Sequence, residues 1–259
     1  MEILKFSPNQ FGGVVTDVEA LPDDPREFER LLEQSLRSWT TDGYKVVWLE
    51  LPVRSAALVP VAADAGFEYH HAEPEYVLMT LQLVPGSYIP PYATHYIGAG
   101  AVVLNERDEI LVVVERYRMG PSRGPGYKLP GGALHPGEHL ADGAVREVRE
   151  ETGVHAKFES LACFRHWHGY RYDKSDIYFV CRLSALSTEI TMQEEEIAEC
   201  RWMPVEEFLS EESGIHQFNK SIVRAALENP GIVPATIEGY EDRSRFEFFM
   251  PQSINKEEG

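Results

Sequence analysis

No apolar run in the 259-residue chain reaches the roughly 18 residues that a membrane span needs, so neither a helical anchor nor a membrane partner is expected. Cysteine is scarce. Cys163, Cys181 and Cys200 are odd in number and match neither zinc-ligand spacing nor a disulfide framework, which reads as buried thiols. Positive charge is also short: 24 Lys and Arg stand against 42 Asp and Glu, a net charge of −18. That is the wrong sign for gripping a phosphate backbone, and nucleic acid is excluded as an expected partner. Residues 1–13 hold no positively charged segment followed by a long apolar stretch and a small-residue cleavage site, so the expected location is cytoplasmic. A small anionic substrate suits so acidic a chain only where something neutralises the site locally, as a bound divalent cation would.

What is present reads as two units. In 24–40 (DPREFERLLEQSLRSWT) the apolar residues Phe28, Leu31, Leu32, Leu36 and Trp39 recur at a helical period, with Pro25 suited to the first turn. Residues 44–51 and 76–83 are rich in β-formers and predict strands, and 55–65 predicts a helix closed by Gly66. VPGSYIPPYATH cannot continue regular structure. The expected division is an α/β unit over 1–85, a linker over 86–95, a second unit over 96–228 and an extension over 229–259. In the second unit strands are expected at 96–104, 110–115, 158–164, 177–183 and 199–203. Helices are expected over 140–152 and after Pro204, a Gly- and Pro-rich loop at 119–126, and an edge strand near 245–250. Strands and helices mix without strict alternation, which predicts an α+β arrangement with a mixed sheet.

The sharpest chemistry lies in GALHPGEHLADGAVREVREETGV, residues 132–154. Glu147, Glu150 and Glu151 stand at i, i+3 and i+4 of a helix that Gly153 ends, so their carboxylates share one side of a turn. Such crowding is unfavourable without a cation, and hard oxygen donors at this spacing suit Mg²⁺. Leu140, Ala144 and Val148 give the opposite face an apolar stripe for the core. The ordinary alternative is a solvated helix in which Arg146 and Arg149 pair with neighbouring carboxylates.

The same segment matches G-x5-E-x7-R-E-U-x-E-E-x-G-U, with U apolar, at Gly132, Glu138, Arg146, Glu147, Val148, Glu150, Glu151, Gly153 and Val154. From residue frequencies a chance match is on the order of 10⁻⁵ or less. The chain thereby resembles the Nudix hydrolases. The resemblance implies that Glu147, Glu150 and Glu151, with the Gly131 carbonyl, bind Mg²⁺ or Mn²⁺, that Arg146 orients a carboxylate, and that Gly132, Glu138 and Gly153 shape the loop and helix. It implies an α/β/α sandwich and hydrolysis of a nucleoside diphosphate linked to another group.

YKLPGG, FRHWHGYRYDKSDIYFVCRL and QEEEIAECRWMPVEEF further resemble the plant ADP-ribose/NADH pyrophosphatases of that family and their animal relatives. The substrates so implied are ADP-ribose or NADH, giving AMP and a phosphorylated fragment. CoA, FAD or dinucleoside polyphosphates are the alternatives, and a sensing domain that binds without turnover is the rival class. In that family the N-terminal domain resembles a reduced acetyltransferase fold. VRSAAL offers no glycine-rich turn for an acyl-CoA pyrophosphate, so a scaffold or homodimerisation role is expected. Glu196 is the candidate further acid. Phe164, Trp167, Tyr170 and Tyr172 are candidate pocket aromatics that stack on a base. His166 and His168 share a strand face suited to packing or hydrogen bonding rather than metal, and with those aromatics the run is read as lining the pocket, core packing of the aromatics being the alternative; His70 and His71 are read as packing residues.

Overall fold

The computed structural model describes residues 2–117 and 126–252. The loop expected at 119–126 lies almost wholly, and the 253–259 terminus wholly, outside the described residues. The chain forms two compact units, Met1–Thr94 and His95–Gly259.

The first unit runs β1 (Phe6–Pro8), β2 (Val14–Thr16), α1 (Pro25–Thr41), β3 (Val46–Pro52), α2 (Val59–Asp64), β4 (Glu68–Glu73) and β5 (Tyr76–Gln82). Its sheet has the order β1-β2-β3-β5-β4, parallel only between β2 and β3. Helix α1 begins where Asp24 accepts the Arg26 amide at 2.9 Å and Pro25 supplies a preset φ. Its stripe of Phe28, Leu31, Leu32 and Trp39 is buried against Val47, Leu49 and Leu51, the inward-facing alternate residues of β3. The helix expected over 55–65 is instead two pieces, a 3₁₀ turn at Val53–Leu58 and α2. Pro60 has no amide proton to donate to the Ala56 carbonyl and sits in the first turn of α2, and Ser55 leaves the helical region, so the stretch is not one continuous α-helix. His70 and His71 do more than pack. Tyr76 OH lies 3.2 Å from His71 Nε2, the two Nδ1 atoms are 2.7 Å apart, and His70 Nε2 is 2.8 Å from the Pro90 carbonyl.

The second unit comprises β6 (His95–Leu104), β7 (Glu109–Glu115), β8 (Gly131–Ala133), α3 (Leu140–Thr152), β9 (Ala156–Trp167), β10 (Ser175–Ala185), β11 (Ile197–Pro204), α4 (Val205–Leu209), α5 (Gln217–Glu228), β12 (Ile232–Ala235) and β13 (Phe248–Pro251). The sheet has the order β11-β7-β6-β10-β9-β12-β13, with β8 on β6. Strands β6 and β10 are parallel and the remaining pairs antiparallel, so the sheet is mixed. Each face carries its own core. Ala99, Ala101 and Val103 of β6 meet Leu140, Ala144 and Val148 of α3. On the other face Val102 joins Ile110, Phe208, Ile222, Val223 and Ala226. Helices cover both faces, and the architecture is an α/β/α sandwich. The edge strand expected near 245–250 forms as β13, beginning later because the Arg245 and Phe246 amides turn back to the Asp242 carbonyl.

Helix α3 ends at Gly153, whose left-handed backbone lets its amide return to the Arg149 carbonyl. Its start is unusual, since the N-cap His139 makes no side-chain cap. The Glu247 carboxylate, over a hundred residues further on, accepts the Leu140 and Ala141 amides at 2.8 and 3.2 Å instead. A carboxylate there satisfies orphan donors and complements the helix dipole.

Candidate active site

The acidic face of α3 is organised around Arg146. Its Nε and Nη2 fork onto Glu138 at 2.6 and 2.9 Å, Nη1 reaches Glu147 at 2.9 Å and Glu150 at 2.8 Å, and Nη2 also meets the Ala133 carbonyl at 3.1 Å. Glu138 further accepts the His135 amide at 2.9 Å. Paired chiefly with Arg146, its carboxyl falls to about 2, while the same partners raise Arg146 above its ordinary range. Glu138 and Arg146 thus lock the loop before α3 to the helix.

Glu151 is treated differently. It is 6% exposed and accepts the Gly131 amide at 3.0 Å. Burial lifts its pKa to about 7, with Glu147 and Glu115 adding to the rise and Lys128 and the Gly131 amide opposing it. Gly131 and Gly132 make this closeness possible. Gly131 has φ +146°, and a side chain on it would strike the Ala99 carbonyl and the Tyr178 hydroxyl. A Cβ on Gly132 would come within 2.6 Å of the Glu147 carboxylate.

The three glutamates therefore share one helix face without converging. Arg146 holds two of them, the third turns toward Gly131, and among the described residues no three acidic, His or Cys groups are gathered to hold a metal ion. The face expected to be left free is partly spanned by the guanidinium, as in the ordinary reading of Arg146. The donor set still fits a hard divalent cation. The donors are carboxylate oxygens, the glycine pair lets the Glu147 and Glu151 carboxylates lie against the backbone where a Cβ would collide, and burial makes Glu151 costly to ionise without a cation beside it.

Beside this face opens a cavity of about 480 Å³ lined in part by Gly131, Gly132, Glu115, Lys128, Tyr170 and Tyr172. Of the four aromatics singled out in the sequence, Tyr170 and Tyr172 line it. Trp167 does not, but its ring centre lies 5.2 Å from Cζ of Arg165, which does. Phe164 alternates to the other face of β9, where it is 64% exposed and meets Phe179. His166 lies on β9 and His168 just past its end, so the two do not share a strand face as expected; their rings still adjoin, with His166 3.0 Å from His95 and His168 2.9 Å from the Ser175 hydroxyl. Glu196 is exposed in the turn before β11, its carbonyl accepting the Arg116 amide at 2.7 Å, and it is not among the residues lining the cavity.

Glu115 takes the position by the cavity. It pairs with Lys128 at 2.5 Å and lies near enough to Glu151 to raise its pKa. Arg165, Asp176, Tyr178 and Phe218 also line it. These residues come from β7, the segment before β8, β9, β10 and α5. No local pattern links them, although the two-residue period of β9 and β10 places Arg165 and Trp167, and Asp176 and Tyr178, on shared faces.

Comparison with known proteins places these residues in context. A family model described as the Nudix hydrolase domain matches residues 4–83, and one described as the NUDIX domain matches residues 94–226. Nudix hydrolase 8 of Arabidopsis thaliana is 43% identical over 211 residues, covering 81% of this chain and 57% of that protein. Nudix hydrolase 2 of the same plant is 43% identical over 212 residues, covering 81% and 75%. Nucleoside diphosphate-linked moiety X motif 6 of Mus musculus is 40% identical over 187 residues, 71% of this chain and 58% of that one. The aligned part thus spans little more than half the length of two of these relatives. Among solved structures, the MutT protein from Methanosarcina mazei Go1 aligns with 54% of this chain and 98% of its own, with 25% identity and a TM-score of 0.43.

Proposed function

We propose, for a chain that belongs to the Nudix hydrolase family, that the cavity beside α3 takes a nucleoside diphosphate linked to another moiety and that water splits its pyrophosphate. The observation carrying this reading is the juxtaposition of an aromatic-lined cavity containing Lys128 and Arg165 with the carboxylate face of α3. Glu147, Glu150 and Glu151 would hold Mg²⁺ or Mn²⁺, which when bound supplies neutralisation of the bridging phosphates and activation of water. Arg146 fixes the orientation of Glu147 and Glu150, and Tyr170 and Tyr172 offer ring faces to the base or sugar.

The implied substrates are ADP-ribose or NADH. Purified protein with Mg²⁺ is expected to cleave either to AMP plus the other phosphorylated fragment with a kcat/KM above that for CoA, FAD or dinucleoside polyphosphates. Product identification by chromatography tests this. A higher kcat/KM for CoA overturns the substrate and leaves the reaction class; binding without turnover of any of them supports the sensing class.

Two carboxylates compete for the proton of the attacking water, Glu196 on sequence grounds and Glu115 on its place in the cavity. Glu115 is favoured. Glu115→Gln is expected to lower kcat by about 10² or more with little change in KM, and Glu196→Gln to change it by less than about threefold; the reverse ranking, read from saturation kinetics, returns the role to Glu196.

The first unit acts as a scaffold or dimerisation element in this reading. VRSAAL winds into a 3₁₀ turn directly after β3 and supplies no glycine for close approach to an acyl-CoA pyrophosphate. Calorimetry should show no acetyl-CoA binding by the full chain; micromolar affinity would sink the scaffold role.

A further inference from the structure

Arg165 on β9 and Asp176 on β10 are diagonal neighbours across an antiparallel pair in which Arg165 faces Tyr178 and Asp176 faces Trp167, and their side chains meet at 2.5 Å, Nη2 to Oδ2. Asp176 is 5% exposed. The guanidinium carbon lies 5.2, 5.4 and 5.9 Å from the ring centres of Trp167, Tyr178 and Phe218, and the buried Arg165 Nε has no hydrogen-bond partner. The Arg165 side chain is 33% exposed; an ion pair with one partner buried stabilises a fold little better than apolar residues of similar volume, and an orphan donor adds a cost. Packing alone therefore gives no reason for the pair. It lies at the lining of the cavity rather than in either core.

Paired with a carboxylate, Arg165 adds no net charge, so the pair is not an anion trap. It presents guanidinium donors beside a carboxylate acceptor, framed by aromatic rings. A heteroaromatic base, with ring faces to stack and a donor next to an acceptor on its edge, complements that arrangement. A purine offers the larger ring area. Lys128 and Gly131, which also line the cavity, are the residues tied to the acidic helix.

We propose that Arg165 and Asp176 select the nucleobase: Asp176 accepts from an exocyclic amino group of a purine, and Arg165 donates to the adjoining ring nitrogen. This rests on the nucleotide reading of the same cavity. The pyrophosphate then falls toward Lys128 and α3.

The test is calorimetric binding to the full chain, with adenosine, purine riboside, cytidine and ribose 5-phosphate as probes. Cytidine, whose amino group also adjoins a ring nitrogen, should bind more weakly than adenosine throughout because its ring is smaller, whereas wild-type protein should favour adenosine at least about tenfold over purine riboside, which lacks the amino group. Arg165→Lys and Asp176→Asn should erase that preference and leave ribose 5-phosphate affinity unchanged. Phe218→Leu, which spares the pair, should weaken adenosine binding severalfold. Equal wild-type affinity for adenosine and purine riboside overturns the proposal without any variant. So does an unchanged preference in folded Arg165→Lys or Asp176→Asn protein, or a parallel loss for ribose 5-phosphate, which would mark an anion site. Amino-group-dependent binding in a protein that hydrolyses no nucleotide would instead remove the hydrolase reading and leave this one.

Discussion

Glutamine at position 150 or 151 is expected to lower Mg²⁺-dependent turnover by on the order of 10³, the scale of losing a preorganised electrostatic group at the reacting centre. Glu150→Gln keeps an oxygen for Arg146 and Glu151→Gln keeps one for the Gly131 amide, so both should fold. Their stabilities should differ with pH. Glu151 has a folded pKa of about 7 against an ordinary 4.5. The folded state therefore binds the proton more tightly, and wild-type protein in chelator loses stability as pH rises from about 4.5 to about 7, then levels off. The full shift corresponds to about 3 kcal/mol. Glu151→Gln lacks that slope. It should melt several degrees above the wild type at pH 8 in chelator and match it near pH 4. Wild-type turnover in either variant would remove the metal site from α3, and identical pH slopes in thermal denaturation would remove the burial account of Glu151.

Arg146→Ala should be strongly destabilising. It strips the partner from Glu138 and Glu147, both with 14% side-chain exposure, and breaking such an enclosed pair costs about 3 kcal/mol. Turnover should fall with it, since Glu147 and Glu150 lose the group that orients them. The pH dependence has the opposite sign to that of Glu151. Glu138 sits at about 2 when folded against 4.5, so it contributes stability above about pH 4.5 that is lost as pH falls toward 2, and the alanine variant should lack that acid limb. Arg146→Lys should restore little, because an ammonium cannot fork onto Glu138 while reaching Glu147 and Glu150. Urea unfolding between pH 2 and 8 checks this. Wild-type stability of Arg146→Ala at neutral pH would show that the hub is ornamental.

How much could be read in advance depended on how local the cause was. Helix α3 spans the residues expected of it because its stripe and its terminating glycine lie within fifteen positions. Strand β4 escaped notice because EYHHAE has no apolar alternation and is held by β5. Helix α5 was missed although Ile222, Val223 and Ala226 carry a buried face, because the loop before it hid its start. At the site the acidic residues were visible as a motif, yet their bonding was not: Arg146 could be placed on the helix but not at its centre of charge. Arg165, Asp176 and Tyr178 needed the antiparallel pairing of β9 with β10, and the parallel pairing of β6 with β10 sets the Tyr178 ring over Gly98 and Gly100. No window of sequence contains that contact.

The carboxylate that closes the start of α3 has a consequence for the order in which the second unit can mature. Until Glu247 has been synthesised and has left the ribosome, the helix bearing Glu147, Glu150 and Glu151 starts in bare amides, whereas the apolar core around α1 is drawn from residues 4–83. The amino-terminal unit can be finished during translation. That helix must wait some hundred residues for its last support, and translation arrested in that interval leaves it complete in sequence but unanchored at one end.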